Sequence, residues 1–153
     1  MIKKITAENF KPYGWVIEYP KKHLKGKSKN LFRIVLKETK KFGWRIAYLI
    51  VRDKKLTRLE CHTLSFESFE PVAGQSLMYV AKNKNAEAVE CFYLDRPIIL
   101  KKGVWHGVVT LTPECEIKLT ENAQVQCVYW RDTQLDKVLA QSYSRAHKIK
   151  SEG

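Results

Sequence analysis

Nine short segments rich in Val, Ile, Tyr and Phe, each four to nine residues long and each followed by a turn, leave this chain few folds to choose from. They are Leu31–Leu36, Trp44–Arg52, Leu56–His62, Leu77–Ala81, Val89–Leu94, Pro97–Leu100, Val108–Leu111, Glu116–Leu119 and Val125–Arg131. A shorter strand-like piece, Trp15-Val-Ile-Glu-Tyr, precedes them after the reversal Lys11-Pro-Tyr-Gly. The links Arg52-Asp-Lys-Lys, Lys82-Asn-Lys-Asn and Thr120-Glu-Asn-Ala are too short for helical crossovers. That spacing predicts an antiparallel sandwich or barrel. Only the end of the chain departs from it. Leu135, Val138, Leu139 and Tyr143 recur at helical spacing behind Asp132, a capping residue, which predicts one amphipathic helix over 132–150. The expected organisation is a single domain over 1–153, with β structure over 1–131.

Charge is uneven. Residues 1–55 hold 16 Lys/Arg against 4 Asp/Glu, so the whole net charge of +12 sits there; residues 56–153 hold 12 of each. The densest run, Lys21 to Asn30, carries glycine and serine but no interleaved aromatics, so a solvated loop is favoured over a nucleic-acid site. No apolar run approaches the ~20 residues of a membrane span. The start, MIKKITAENF, lacks a signal-peptide core, and a cytoplasmic protein is expected. Cys61, Cys91, Cys115 and Cys127 form no C-x-x-C pair and fall in strand-like segments, which predicts free thiols.

The stretch LECHTLSFESFEPVAG, residues 59–74, breaks the apolar pattern with Glu60, His62 and Glu67. On a strand Glu60 and His62 share a face, with Cys61 on the other. Glu67 follows five residues later, placed to return to the same space beyond a turn. KKGVWHGVVTL, residues 101–111, supplies a second histidine, His106, behind a glycine turn at Gly103. Two unpaired ionisable groups buried on one face would be costly without a function.

These spacings resemble the two cupin motifs. Glu60-Cys-His62, four residues, Glu67, six residues, Gly74 follows the first, with Glu in place of its first His. Lys101-Lys-Gly103-Val-Trp-His106 follows the second, with Lys in place of Pro. A closer resemblance, over about residues 7–19 and 56–112, is to the ureidoglycolate lyase family. It is carried by ENFKPYGWVIE, by Glu60, His62, Phe69 and Pro71, and by Gly103 to His106. Gly107 stands where that family usually has a further His, and the family's substrate segment has only faint echoes in Asn30 and Arg33.

The resemblance implies a small all-β antiparallel cupin (RmlC-like jelly-roll) barrel and a homodimer. It also implies elimination of urea from ureidoglycolate, or chemistry on a related small hydroxy or ureido acid. His62, His106, Glu60 and Glu67 would be the catalytic groups. They could act as acids and bases alone, or hold one divalent metal, Mn, Fe, Ni or Zn. A bound metal would also anchor the substrate carboxylate; without one, a cation such as Lys101, Lys102 or Arg33 must hold it. Trp105 is a candidate substrate contact, with packing in the core the favoured alternative. The competing readings are a non-catalytic cupin that binds a small ligand or protein partner, and a nucleic-acid binder using the basic N-terminal third.

Overall fold

The computed structural model describes residues 1–18, 20 and 31–151, with the backbone alone at 142, 143 and 145–151. The lysine-rich run at 21–30 and the side chain of Tyr143 lie outside the described residues. Among the described residues, eleven strands and one α-helix follow in order, with a single 3₁₀ turn at Ala86–Ala88. They are β1 (Ile2–Lys4), β2 (Gly14–Val16), β3 (Trp44–Val51), β4 (Leu59–His62), β5 (Glu67–Ala73), β6 (Ser76–Ala81), β7 (Glu90–Tyr93), β8 (Ile98–Leu100), β9 (Trp105–Thr110), β10 (Cys115–Asn122), β11 (Cys127–Trp130) and α1 (Thr133–Ser151).

The strand pairing is nested. β6 pairs with β7, β5 with β8, β4 with β9 and β3 with β10, all antiparallel. A long hairpin rolled on itself gives this order, and it deals successive strands to two sheets: β1-β7-β6-β9-β4-β11 and β2-β8-β5-β10-β3. The fold is therefore an all-β jelly roll with one C-terminal helix.

Side-chain alternation divides the core in two. Between the sheets lie Phe69, Met78, Val80, Phe92, Ile98, Leu100, Ile117 and Leu119. On the outer face of the six-stranded sheet lie Leu59, Cys61, Leu77, Tyr79, Trp105, Val109 and Trp130, covered by Leu135 and Leu139 of α1. Strand β6 is buried on both faces, which is why SLMYVA reads as a continuous apolar run. The helix starts where expected. Asp132 accepts from the Leu135 amide at 2.7 Å and from the Trp130 indole at 2.5 Å, so one carboxylate caps α1 and ties it to β11.

Two expectations need correction. Leu31–Leu36 is not a strand; it runs irregularly, with Phe32 86% and Ile34 61% exposed, so its apolar side chains gain none of the burial that would hold them in a sheet. Strand β5 was not foreseen. Pro71 speaks against a strand there, but it sits at a register shift against β10, where a bulge absorbs the missing amide.

Because Leu135 is fully buried, Leu135→Ala should destabilise the chain by about 2–5 kcal/mol. Urea unfolding should show the loss as a lower midpoint at unchanged slope. A loss too small to measure would mean that α1 does not share the cooperative core.

Candidate metal centre

The register of three strands builds one side of the site. On the six-stranded sheet Glu60 pairs with His106 on β9 and with Tyr129 on β11, and His62 pairs with Cys127. Paired residues share a face, so five polar side chains project together from the inner face. Glu67 comes from the opposite sheet, from the start of β5. Ser65 shapes the short link that brings it there: its hydroxyl donates to the Phe66 carbonyl at 2.6 Å and accepts from the Asn122 amide at 3.0 Å.

The centre is a buried carboxylate between two imidazoles. Glu67 Oε2 lies 3.3 Å from His62 Nε2 and 3.1 Å from His106 Nε2. All three residues are buried, and the two rings are 5.2 Å apart. Phe69 closes one side of His106 edge-on at 5.5 Å. Glu60 stands at the rim, Oε1 3.7 Å from His106 Nε2, with a side chain 40% exposed.

The other ring nitrogens fix the tautomers. His62 Nδ1 is 3.3 Å from the Gln126 carbonyl and His106 Nδ1 is 3.0 Å from that of Val104. A carbonyl only accepts, so both Nδ1 atoms carry hydrogen and both Nε2 atoms of the neutral rings turn lone pairs towards Glu67. Glu67 Oε2 and His106 Nε2 are buried with no hydrogen bond of acceptable geometry, despite their 3.1 Å separation. Lone pairs facing a carboxylate need a positive charge among them, either a proton on a ring or a metal ion. The donors of His62, Glu67 and His106 lie within 4.8 Å of one another, so the residues fit a divalent metal.

Without metal, protons fill that role. Burial disfavours the charged form of His62, but the hydrogen bond and charge of Glu67, the Gln126 carbonyl and Glu60 outweigh it and raise its pKa. Burial would likewise raise that of Glu67, yet the two histidines bring it down to about 2.

The structure brings Glu60, His62, Glu67 and His106 together and leaves the four expected substrate contacts elsewhere. Lys101 donates to the Lys11 carbonyl at 2.7 Å, and Lys102 pairs with Glu38 at 2.7 Å. Arg33 donates to the Glu18 carbonyl at 2.7 Å. Trp105, next to His106 in an alternating strand, points to the outer face and packs on Trp130. Gly107 also faces outward, where an added Cβ would stand 2.6 Å from Leu56 Cδ1, so a histidine there could not reach the cluster. Sequence reasoning missed the cations that do line the cavity. This space of about 510 Å³ is bounded by Leu49, Val51, Glu60, Glu67, Phe69, His106 and Leu119, together with Arg52 and Arg58. Arg52 pairs with Glu114 at 2.9 Å, whereas Arg58 lies over the Tyr129 ring at 4.1 Å. Only the β4–β11 register reveals Cys127 and Tyr129 as neighbours of the site.

No protein-family model and no curated protein matches the sequence. Solved structures resemble it at low identity. A dTDP sugar isomerase from Desulfovibrio desulfuricans matches with TM-score 0.49 and 14% identity, over 86% of this chain and 89% of its own. A sugar 3,4-ketoisomerase from Thermoanaerobacterium thermosaccharolyticum, solved with TDP, matches with TM-score 0.48 and 14% identity, over 63% and 74%. Oxalate decarboxylase from Bacillus subtilis matches with TM-score 0.45 and 16% identity, over 69% of this chain and 28% of its own. Among the described residues no helix is long and apolar enough to cross a membrane.

The coupled charges set a pH window for the metal-free protein. Stability from Glu67 is fully present above its ordinary value of 4.5 and drains away as pH falls towards about 2. Stability from His62 is present below 6.5 and is lost as pH rises through its raised folded value. Metal-free protein should therefore be most stable between these limits, and Glu67→Gln should move the His62 titration to lower pH by NMR. An unmoved His62 titration would contradict this pairing.

Proposed function

We propose that this protein is a metal-assisted cupin enzyme acting on a small hydroxy or ureido carboxylate, with elimination of urea from ureidoglycolate as the specific reaction. The observation that carries it is the buried trio His62, Glu67 and His106, whose unsatisfied Oε2 and Nε2 atoms need a cation between them. The trio would hold Mn, Fe, Ni or Zn, and when bound the metal supplies Lewis-acid polarisation of a hydroxy acid. The chain's own groups do the rest. Arg58, at the cavity wall, takes the role of carboxylate anchor that the sequence suggested for Lys101, Lys102 or Arg33. Glu60, half-exposed at the rim, accepts the proton of the carbinol hydroxyl. As the carbon–nitrogen bond breaks, Glu60 returns that proton to the leaving urea nitrogen, and glyoxylate and urea result.

A second copy of the chain is the partner we propose for strand β3. This edge strand, WRIAYLIV, has no proline and no lysine, and its one charge, Arg45, is tied back to Glu121 at 2.7 Å. Trp44, Ile46, Tyr48 and Ile50 share one face of β3 and, with Phe42 just before it, are all exposed. At roughly 200 Å² per large side chain, their exposed parts amount to on the order of 550 Å², the larger part of the ~800 Å² per partner of a standard interface. Antiparallel β3 strands would set apolar residues against apolar residues and join the two five-stranded sheets. Wild-type protein should sediment as a dimer and Trp44→Lys/Ile46→Lys as a folded monomer. A wild-type monomer would refute this pairing.

Purified protein should release glyoxylate from ureidoglycolate, lose the activity on chelation and regain it with added metal. His106→Ala should lower turnover by orders of magnitude while the protein stays folded. Full activity after chelation would support side-chain acid–base chemistry instead. No release from folded, metal-loaded protein would leave a ligand-binding pocket without this reaction.

A further inference from the structure

The cavity that Glu67 and His106 line is larger than the acid of the proposed reaction. Its volume is about 510 Å³. Ureidoglycolate has roughly nine non-hydrogen atoms, and even at the ~30 Å³ a water molecule takes in the liquid they would fill only about half of that space. The surroundings of the remainder are apolar. Val108 follows His106 by two positions on β9 and so shares its inward face. Opposite stand Phe69 and Leu119, paired across β5 and β10, with the Phe69 ring edge-on to His106 at 5.5 Å. Leu49 and Val51 extend this wall along β3. Leu49 is left uncovered there. It pairs with Ile117 and shares its inner face, yet Ile117 is 0% exposed and Leu49 36%. Such inward apolar surface gains by being covered. Beyond Glu60, Glu67 and His106, the charged lining residues are Arg52, Asp53 and Arg58, all exposed to solvent. The lining is therefore polar at the metal centre and at the solvent-exposed rim, and apolar along β3, β5, β9 and β10.

We propose that this wall is an apolar subsite, and that the substrate is a hydroxy or ureido acid bearing a hydrocarbon side chain, with ureidoglycolate as the unsubstituted parent of the class. This rests on the reading of the trio as the reaction site and narrows its substrate class. The acid head sits among Glu60, His62, Glu67 and His106, and the hydrocarbon lies against Val108, Phe69, Leu119 and Leu49. Apolar walls with a few convergent polar groups are the usual make-up of a small-molecule site of this size. Hydrocarbon laid on Leu49 leaves water together with the leucine, so both surfaces contribute to binding. Two carbons buried in this way should tighten binding about tenfold.

Titration calorimetry on the full-length protein, loaded with zinc and in parallel with manganese, tests this with acids that share one head. Glycolate, α-hydroxybutyrate, α-hydroxycaproate and α-hydroxycaprylate grow by two carbons at a time. Affinity should rise about tenfold at each step until the space is filled. As a readout that needs no variant, the heat-capacity change of binding should grow more negative along the series. Leu49→Gln sets an amide in the wall, and Leu49→Trp fills the space beside it. Each, once shown to be folded by circular dichroism, should keep the glycolate affinity and flatten the gain for the longer acids. Glycolate binding with no gain along the wild-type series would overturn the apolar subsite while leaving the reaction site intact. A gain unchanged in both folded variants would put the hydrocarbon elsewhere, such as the outer face of β3, and overturn it too. No acid bound by either metal form would overturn the reading of the trio and the subsite with it.

Discussion

A carboxylate sealed between two imidazoles is the constraint that the rest of this structure serves. Glu67 is 5% exposed, and a lone ionised carboxylate at such depth would cost several kcal/mol. It is tolerable only if positive charge is held beside it. The fold provides that by fixing both rings from behind, through Nδ1 bonds to the carbonyls of Gln126 and Val104. Neither ring can turn its Nε2 away without leaving an Nδ1 hydrogen unsatisfied.

The nested pairing of the jelly roll explains how residues so far apart in sequence meet. Folding the long hairpin back on itself lays β4 against β9, and β11 then adds to the free edge of β4. Glu60, His62, His106 and Cys127 thereby fall on one inner face by register alone. Glu67 crosses to the other sheet within five residues of His62, so the two motif residues face each other across the core. The motif glycines serve this path as well. Gly74 and Gly103 are the two residues with positive φ among those described, and the Gly103 amide donates to the His62 carbonyl at 2.8 Å. At Gly74 an added Cβ would stand 2.5 Å from the Glu114 carbonyl oxygen, so both space and backbone angle require glycine there.

Much of this was legible in the sequence because it depends on local pattern. Runs rich in Val, Ile, Tyr and Phe between short turns exposed most of the strands, the switch to a 3.6-residue period exposed α1, and i, i+2 spacing put Glu60 and His62 on one face. What the sequence concealed depends on register and on long-range partners. Strand β5 was hidden because Pro71 looks like a break until β10 is seen to accommodate it with a bulge. Lys101 and Lys102 looked like anchors because they adjoin the motif, yet they are committed to the Lys11 carbonyl and Glu38. Arg58 and Cys127 carry no motif at all, and only strand pairing and the cavity wall bring them to the site.

Strand β9 shows how chemistry and stability are kept apart. Trp105 and Gly107 face outward under the helix layer, one filling it and the other making room for Leu56, while His106 between them faces the core. A strand cannot turn one residue without its neighbours, so the outward packing also holds the imidazole in place. The apolar layer under α1 is therefore more than added stability. It fixes the register that aims His106 at Glu67, and a change at Trp105 would reach the His62–Glu67–His106 cluster through the backbone although the indole never touches it. That coupling accounts for the Gly-Val-Trp-His run as a unit: the glycine makes the turn, the tryptophan locks the outer face, and the histidine is delivered to the inner one.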